Sequence, residues 1–127
     1  MKKLTMLLTG LLTFGPALAA GGAAAPSLDP AVVNAKMEHV KLDNSRVRVI
    51  EGTLQPGDKE QMHEHPNPFV TYILSGGRIR NHFADGKVVE AELATGDALY
   101  REPQTHWAEN IGTTPIHFIV VELKKAD

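Results

Sequence analysis

The sequence predicts a single all-β domain, a small sandwich or barrel of short antiparallel strands, and three observations carry that prediction. From Arg46 onward apolar and polar residues alternate in runs of strand length, rich in Val, Ile, Thr and aromatic residues. Turn signals punctuate those runs at short spacing: Pro56-Gly57, Gly76-Gly77, Asp85-Gly86 and Gly96-Asp97. No long amphipathic helical pattern competes with them.

Taken in order, "RVRVIEGTL" alternates charge with valine until Gly52 interrupts it, and a glycine there predicts a bulge or bend. "FVTYILS" is a β-branched and aromatic run that "GG" turns into "RIRNHFA". Asp85-Gly86 is a strong hairpin signal and joins that strand to "KVVEAEL". "ATGD" turns again, "ALYRE" is a short strand ended by Pro103, and "HWAENIG" and "PIHFIVVEL" close the series. Ahead of them "DPAVVNAK" fits either a helix starting at Asp29 or an edge strand.

The first stretch, "MKKLTMLLTGLLTFGPALAA", has a basic start, an apolar centre, a Gly-Pro break and an Ala-Leu-Ala cleavage pattern. Its apolar run is shorter than the roughly 20 residues a bilayer span requires. Residues 1–19 are therefore expected to be a cleaved signal peptide, with no stable membrane insertion after cleavage and a secreted, periplasmic destination. Residues 20–30 read as a flexible linker and residues 31–127 as the folded domain.

The chain of 127 residues holds 13 Lys and Arg against 15 Asp and Glu; without Lys2 and Lys3 the balance is 11 to 15, a net charge of −4 with histidine neutral. Nucleic acid and anionic membranes reward the opposite sign, so neither is an expected partner. Cysteine is absent, which leaves core burial, a metal or a dimer interface to supply stability.

The chemistry concentrates in "PGDKEQMHEHPNPFVTYILSGG". On an extended chain His63 and His65 project to one side while Glu64 points away. His106, roughly forty residues later in "GDALYREPQTHWAEN", is the third candidate. Three imidazoles converging from two strands would leave coordination positions open, as a catalytic or substrate-binding metal requires.

Gly57, His63, His65 and the strand from Phe69 to Gly76 resemble the first sequence motif of the cupins, and Gly96-Asp97 through Pro103, His106 and Asn110 resemble the second. The resemblance covers Arg46 to Leu123 and implies a single-domain cupin-type jelly-roll barrel. It further implies a divalent transition metal (Fe, Cu, Ni, Zn or Mn) held by His63, His65 and His106, a small-molecule ligand or substrate, and a homodimer. The carboxylate that usually completes the first motif is missing, because Phe69 stands at its position. The second motif lacks its usual glycine, reading Pro103-Gln104-Thr105. A three-histidine set, as in some thiol dioxygenases of the family, is the arrangement left; Glu60 and Asn67 are the nearby residues that could add an oxygen.

Three neutral ligands would leave a divalent ion its full charge, so the site should favour small anions. Among the aromatics, Phe69, Tyr72 and Tyr100 are candidates for a substrate pocket, although core and barrel packing is the more usual role of such residues. His82 shares a strand face with Arg78 and Arg80 and reads as solvated, His117 as structural and His39 as surface. The acidic pairs Glu60/Glu64 and Glu90/Glu92 read as solvated charges. No nucleophile elbow, phosphate loop or dinucleotide fingerprint is present. Two functions remain: a metal-dependent, dioxygenase-like enzyme acting on a small anion, and a non-enzymatic barrel that binds or senses a small molecule or metal ion.

Overall fold

Alternation in the sequence becomes alternation of inward and outward side chains most clearly in the strands that build the core and the histidine row. The computed structural model describes Gly15 and residues 25–126; the expected signal peptide, apart from Gly15, lies outside them. A four-residue helix α1 (Pro30–Val33) opens the domain, with Asp29 accepting a hydrogen bond from the Ala31 N–H as its cap and proline in the first turn. Of the two readings of "DPAVVNAK", the helix is the one that forms. Asp29 also takes two hydrogen bonds from Arg48, and Pro30 is buried, so the last two residues of the expected linker are packed against the domain.

The strands are β1 (Glu38–Asp43), β2 (Val47–Leu54), β3 (His63–His65), β4 (Phe69–Ser75), β5 (Gly77–Phe83), β6 (Val88–Leu93), β7 (Ala98–Arg101), β8 (Gln104–Asn110) and β9 (Ile116–Leu123). They form two antiparallel sheets, one in the order β1-β2-β9-β4-β7 and the other β3-β8-β5-β6. In β9 the burial alternates strictly, with Ile116, Phe118, Val120 and Glu122 inward. Ile50 and Leu54 from β2, Ile73 from β4 and Ile79 from β5 meet them to make the core. Each such buried side chain contributes about 1.5–3 kcal/mol relative to exposure. No helix among the described residues is long and apolar enough to cross a membrane.

The hairpin at Asp85-Gly86 forms as read: the Gly86 N–H donates to the Phe83 carbonyl at 2.9 Å, and Gly86 adopts φ 90°, where a side chain would strain the backbone. The bulge expected at Gly52 is not there. Gly52 pairs in unbroken register with Phe118, and the register shift lies in β1 between Val40 and Leu42. The glycine is needed because the Phe118 ring lies where a Cβ would be. On the other side of the chain, Asn110 donates to the carbonyls of Leu54 and Thr114 and accepts from Gly112, tying the end of β8 to the neighbouring loops.

Two seams separate the sheets. At one, β1 and β3 are closed by α1 and by the segment before β3, where Glu60 and Ala108 pair through their backbones. At the other, β6 and β7 are both edge strands. The barrel interior is therefore roofed on the first side and flanked by strand edges on the second.

Candidate metal centre

The register of β3 against β8 places His63 directly opposite His106, and antiparallel partners share a face. His65 lies two residues on along the same face, with Glu64 exposed between them, as alternation requires. Strand β5 flanks β8 on its other side and sets Phe83 opposite His106. The three imidazoles converge inside the barrel with ring centroids 4.6–5.4 Å apart. One nitrogen from each lies within 4.8 Å of the other two.

Hydrogen bonds select which nitrogens face inward. His65 Nδ1 donates to Glu122 Oε1 at 2.8 Å, leaving its Nε2 as the bare nitrogen. His63 Nδ1 lies 2.9 Å from the Gln61 carbonyl, which can only accept, so this nitrogen also carries the proton. Asn34 Nδ2, 3.2 Å from the same atom, has its acceptor in Glu38 Oε1 at 2.9 Å. His106 has neither: both ring nitrogens are buried with no hydrogen-bond partner among the described residues. A buried unpartnered imidazole is costly unless something not drawn from the protein binds it.

Burial brings the His63 imidazole down from 6.5 to about 4. Burial, with the charges of His63, His65 and Arg101 added, brings His106 down to about 2. Both are therefore neutral at pH 7 and ready to donate a lone pair. The donor set fits a divalent transition metal: three imidazoles, two of them oriented by a carboxylate or a carbonyl in the manner of histidine ligands.

Two carboxylates stand beside this centre. Glu60 is buried, not solvated as its sequence context suggested, and accepts from the Ala108 N–H at 2.9 Å. Its Oε2 approaches His63 at the proton-bearing Nδ1, 3.9 Å away. Glu38, also buried, adjoins it and forms a second acidic group with Glu60 and His63. Burial raises both carboxyl groups, Glu60 the more strongly because Glu38 adds its own charge. Asn67 does not line the interior, so neither oxygen donor considered from the sequence stands on the bare-nitrogen side of His63.

A cavity of about 320 Å³ extends from the histidines between the sheets. Phe69 lines it, buried, with its ring 4.3 Å from that of His65. Tyr72 and Tyr100 do not: Phe69, Thr71 and Ile73 take the inward phase of β4, and Leu99 and Arg101 that of β7, which leaves both tyrosines on the outer face, 45% and 56% exposed. His82 lies outside the cavity as expected but is only half solvated, stacked on Trp107 at 3.7 Å and bonded to Glu109 at 3.0 Å. His117 pairs with Glu51, and His39 is exposed. Sequence reasoning missed Glu122, Glu38, Arg101 and Lys87. Glu122 and Arg101 carried a readable signal, a charge in phase with the inward residues of an apolar strand.

This geometry is matched by the comparisons. The family model for the Cupin domain matches residues 50–122, and the chain belongs to the cupin superfamily. Among solved structures, a cupin domain from Bordetella pertussis Tohama I is 28% identical, with a TM-score of 0.65, covering 70% of this chain and 93% of that one. A conserved protein with a double-stranded β-helix domain from Klebsiella pneumoniae is 29% identical, with a TM-score of 0.56, covering 72% and 79%. A predicted oxalate decarboxylase from Thermotoga maritima is 26% identical, with a TM-score of 0.52, covering 69% and 79%. No curated protein matches the chain.

Proposed function

We propose that the protein is an exported cupin that holds one divalent transition metal through His63, His65 and His106 and uses it on a small anionic molecule, with oxygenase chemistry as the reaction class. The observation that carries this reading is His106, whose two buried nitrogens have no partner among the described residues while two oriented imidazoles converge on the same point. When bound, such an ion supplies Lewis acidity and open positions that template a chelating anion, with redox chemistry added for iron or copper. The chain's own residues do the rest. Glu122 and the Gln61 carbonyl hold two imidazoles in one tautomer and orientation, and the barrel walls keep bulk water from the centre.

The absence of a carboxylate on the ligand side supports retention of the ion's full charge, and hence an anionic ligand. It equally supports the second reading, a barrel that captures or senses its ligand without turnover, since no general base among the described residues faces the bare nitrogens. Export rests on the sequence features of residues 1–19. A homodimer is supported by the outer face of the larger sheet, where exposed Tyr72 and Tyr100 neighbour Val70 and Ile119.

The test is to offer Fe, Mn, Cu, Ni and Zn to the purified protein under matched redox conditions, then to measure retained metal and oxygen uptake with candidate anions. One retained ion per chain, lost in His63→Ala, with uptake that depends on the same residue, is the expected result. Metal retention without turnover of any anion would favour the binding barrel; no retention at all would overturn both metal readings.

A further inference from the structure

The cavity that runs away from the histidines has two unlike parts. Near the metal centre it carries cationic and amide groups: Arg101 at the end of β7, Lys87 just before β6, and Gln104 opposite His65. Arg101 faces Phe69 across the β4–β7 pair, and Phe69 packs on His65, so Arg101, itself exposed, lines the mouth of the cavity on the strand that flanks the ligand row. Neither Arg101 nor Lys87 has an ion-pair partner among the described residues, whereas Arg48, Arg78 and Arg80 are all paired. Cations left unpaired at the rim of a site are available to an anion from solution.

Beyond that row the walls are mainly apolar, with Thr71 opposite Leu99 and Asn81 opposite Val89 as the polar interruptions. Leu99 from β7 and Val89, Ala91 and Leu93 from β6 line the part of the cavity along the strand edges, with Ile73 and Phe118 behind them. A small dicarboxylate such as oxalate would use the cationic part and leave this apolar space filled with water. That volume is of the size that organic ligands fill.

We infer that the ligand is a chelating monocarboxylate with an apolar body: its oxygen donors meet the three-histidine metal, Arg101 binds its carboxylate, and its hydrocarbon part lies against Leu99, Val89 and Ala91. This inference rests on the metal reading above and narrows its substrate class. It separates this chain from an oxalate-type substrate, because oxalate has no body to bury. Burial of each additional methylene is worth a several-fold gain in affinity, which makes the inference measurable with one head group and a varied tail.

The experiment loads the full protein with zinc and measures, by calorimetry, the affinities of pyruvate, 4-methyl-2-oxopentanoate and phenylpyruvate. All three share one chelating head and differ in body. The expected result is at least a tenfold rise from pyruvate to the two larger acids. Arg101→Gln should weaken all three 2-oxo acids about tenfold with zinc affinity unchanged, and Leu99→Asn should remove the gain from the larger bodies while leaving pyruvate alone. Zinc bound normally but with pyruvate equal to or tighter than the larger acids would overturn the inference and spare the metal reading. Insensitivity to Arg101→Gln would do the same. Failure to bind zinc would overturn both.

Discussion

Replacing Glu122 should loosen the metal without unfolding the barrel. The side chain is buried at 2% exposure, and its Oε1 accepts the His65 Nδ1 proton at 2.8 Å. A carboxylate in that place fixes the tautomer, aims the ring and raises the basicity of the opposite nitrogen; removing such a partner lowers metal affinity about 10–100-fold. That span corresponds to about 1.4–2.7 kcal/mol. Glu122→Gln keeps the volume and an oxygen able to accept the same proton, so it should lie near the 10-fold end. Glu122→Ala leaves a buried N–H unpartnered and the ring free to change tautomer, and should lie near the 100-fold end. Arg48, the cross-strand partner of Glu122, keeps its bonds to Asp29, so the glutamine variant retains a paired cation there. The assay is zinc competition against a chromophoric chelator, with circular dichroism to confirm folding and Glu109→Gln, on the outer face, as the control. Wild-type affinity in both folded Glu122 variants would refute the assignment of His65 as an oriented ligand.

Gly52→Ala should destabilise the protein by about 1–3 kcal/mol in urea unfolding, because the new methyl group meets the Phe118 ring and the core must shift; an unchanged midpoint would contradict the close approach. Acid should act on the metal-free protein through two opposed linkages. His63 and His106 sit below 6.5 in the fold, so the stability they contribute is lost as pH falls from about 6.5 toward about 4 for His63 and toward about 2 for His106. Glu38 and Glu60 sit above 4.5, so theirs is full below that value and is lost as pH rises through their raised values. Glu60→Gln removes part of the second effect, and its unfolding free energy should fall more steeply than the parent's between pH 6.5 and 4.5; parallel slopes would contradict the buried carboxyl pair.

The strands from β2 onward were legible where one face is buried, so that β9 and β2 read directly as alternation, and because Asp85-Gly86 has one good use; β1, exposed beyond Glu38, carries no such alternation and was not read. The histidine ligands were legible for the same reason: period two puts His63 and His65 together, and the second motif supplies His106. What spacing could not show was which non-adjacent strands meet. Glu122 becomes the partner of His65 only because β9 pairs with β4, which brings Glu122 opposite Phe69 beside the ligand row. Glu60 looked solvated because its sequence neighbours are polar, yet pairing with Ala108 carries it inside. Gly52 was misread because a glycine in a strand serves a bulge and a close approach equally well, and the Phe118 ring that decides the matter comes from sixty-odd residues away. For Tyr72 and Tyr100 the alternation itself held the answer: each is out of phase with the inward residues of its own strand.

X-ray absorption of the zinc-loaded protein, with His106→Ala beside it, tests the three-histidine centre most directly. The account predicts three imidazole nitrogens at about 2.0–2.1 Å, a remaining shell of solvent oxygen, and a fall to two imidazoles in the variant. A first shell with two imidazoles or fewer in the parent, or one that His106→Ala leaves unchanged, would contradict it.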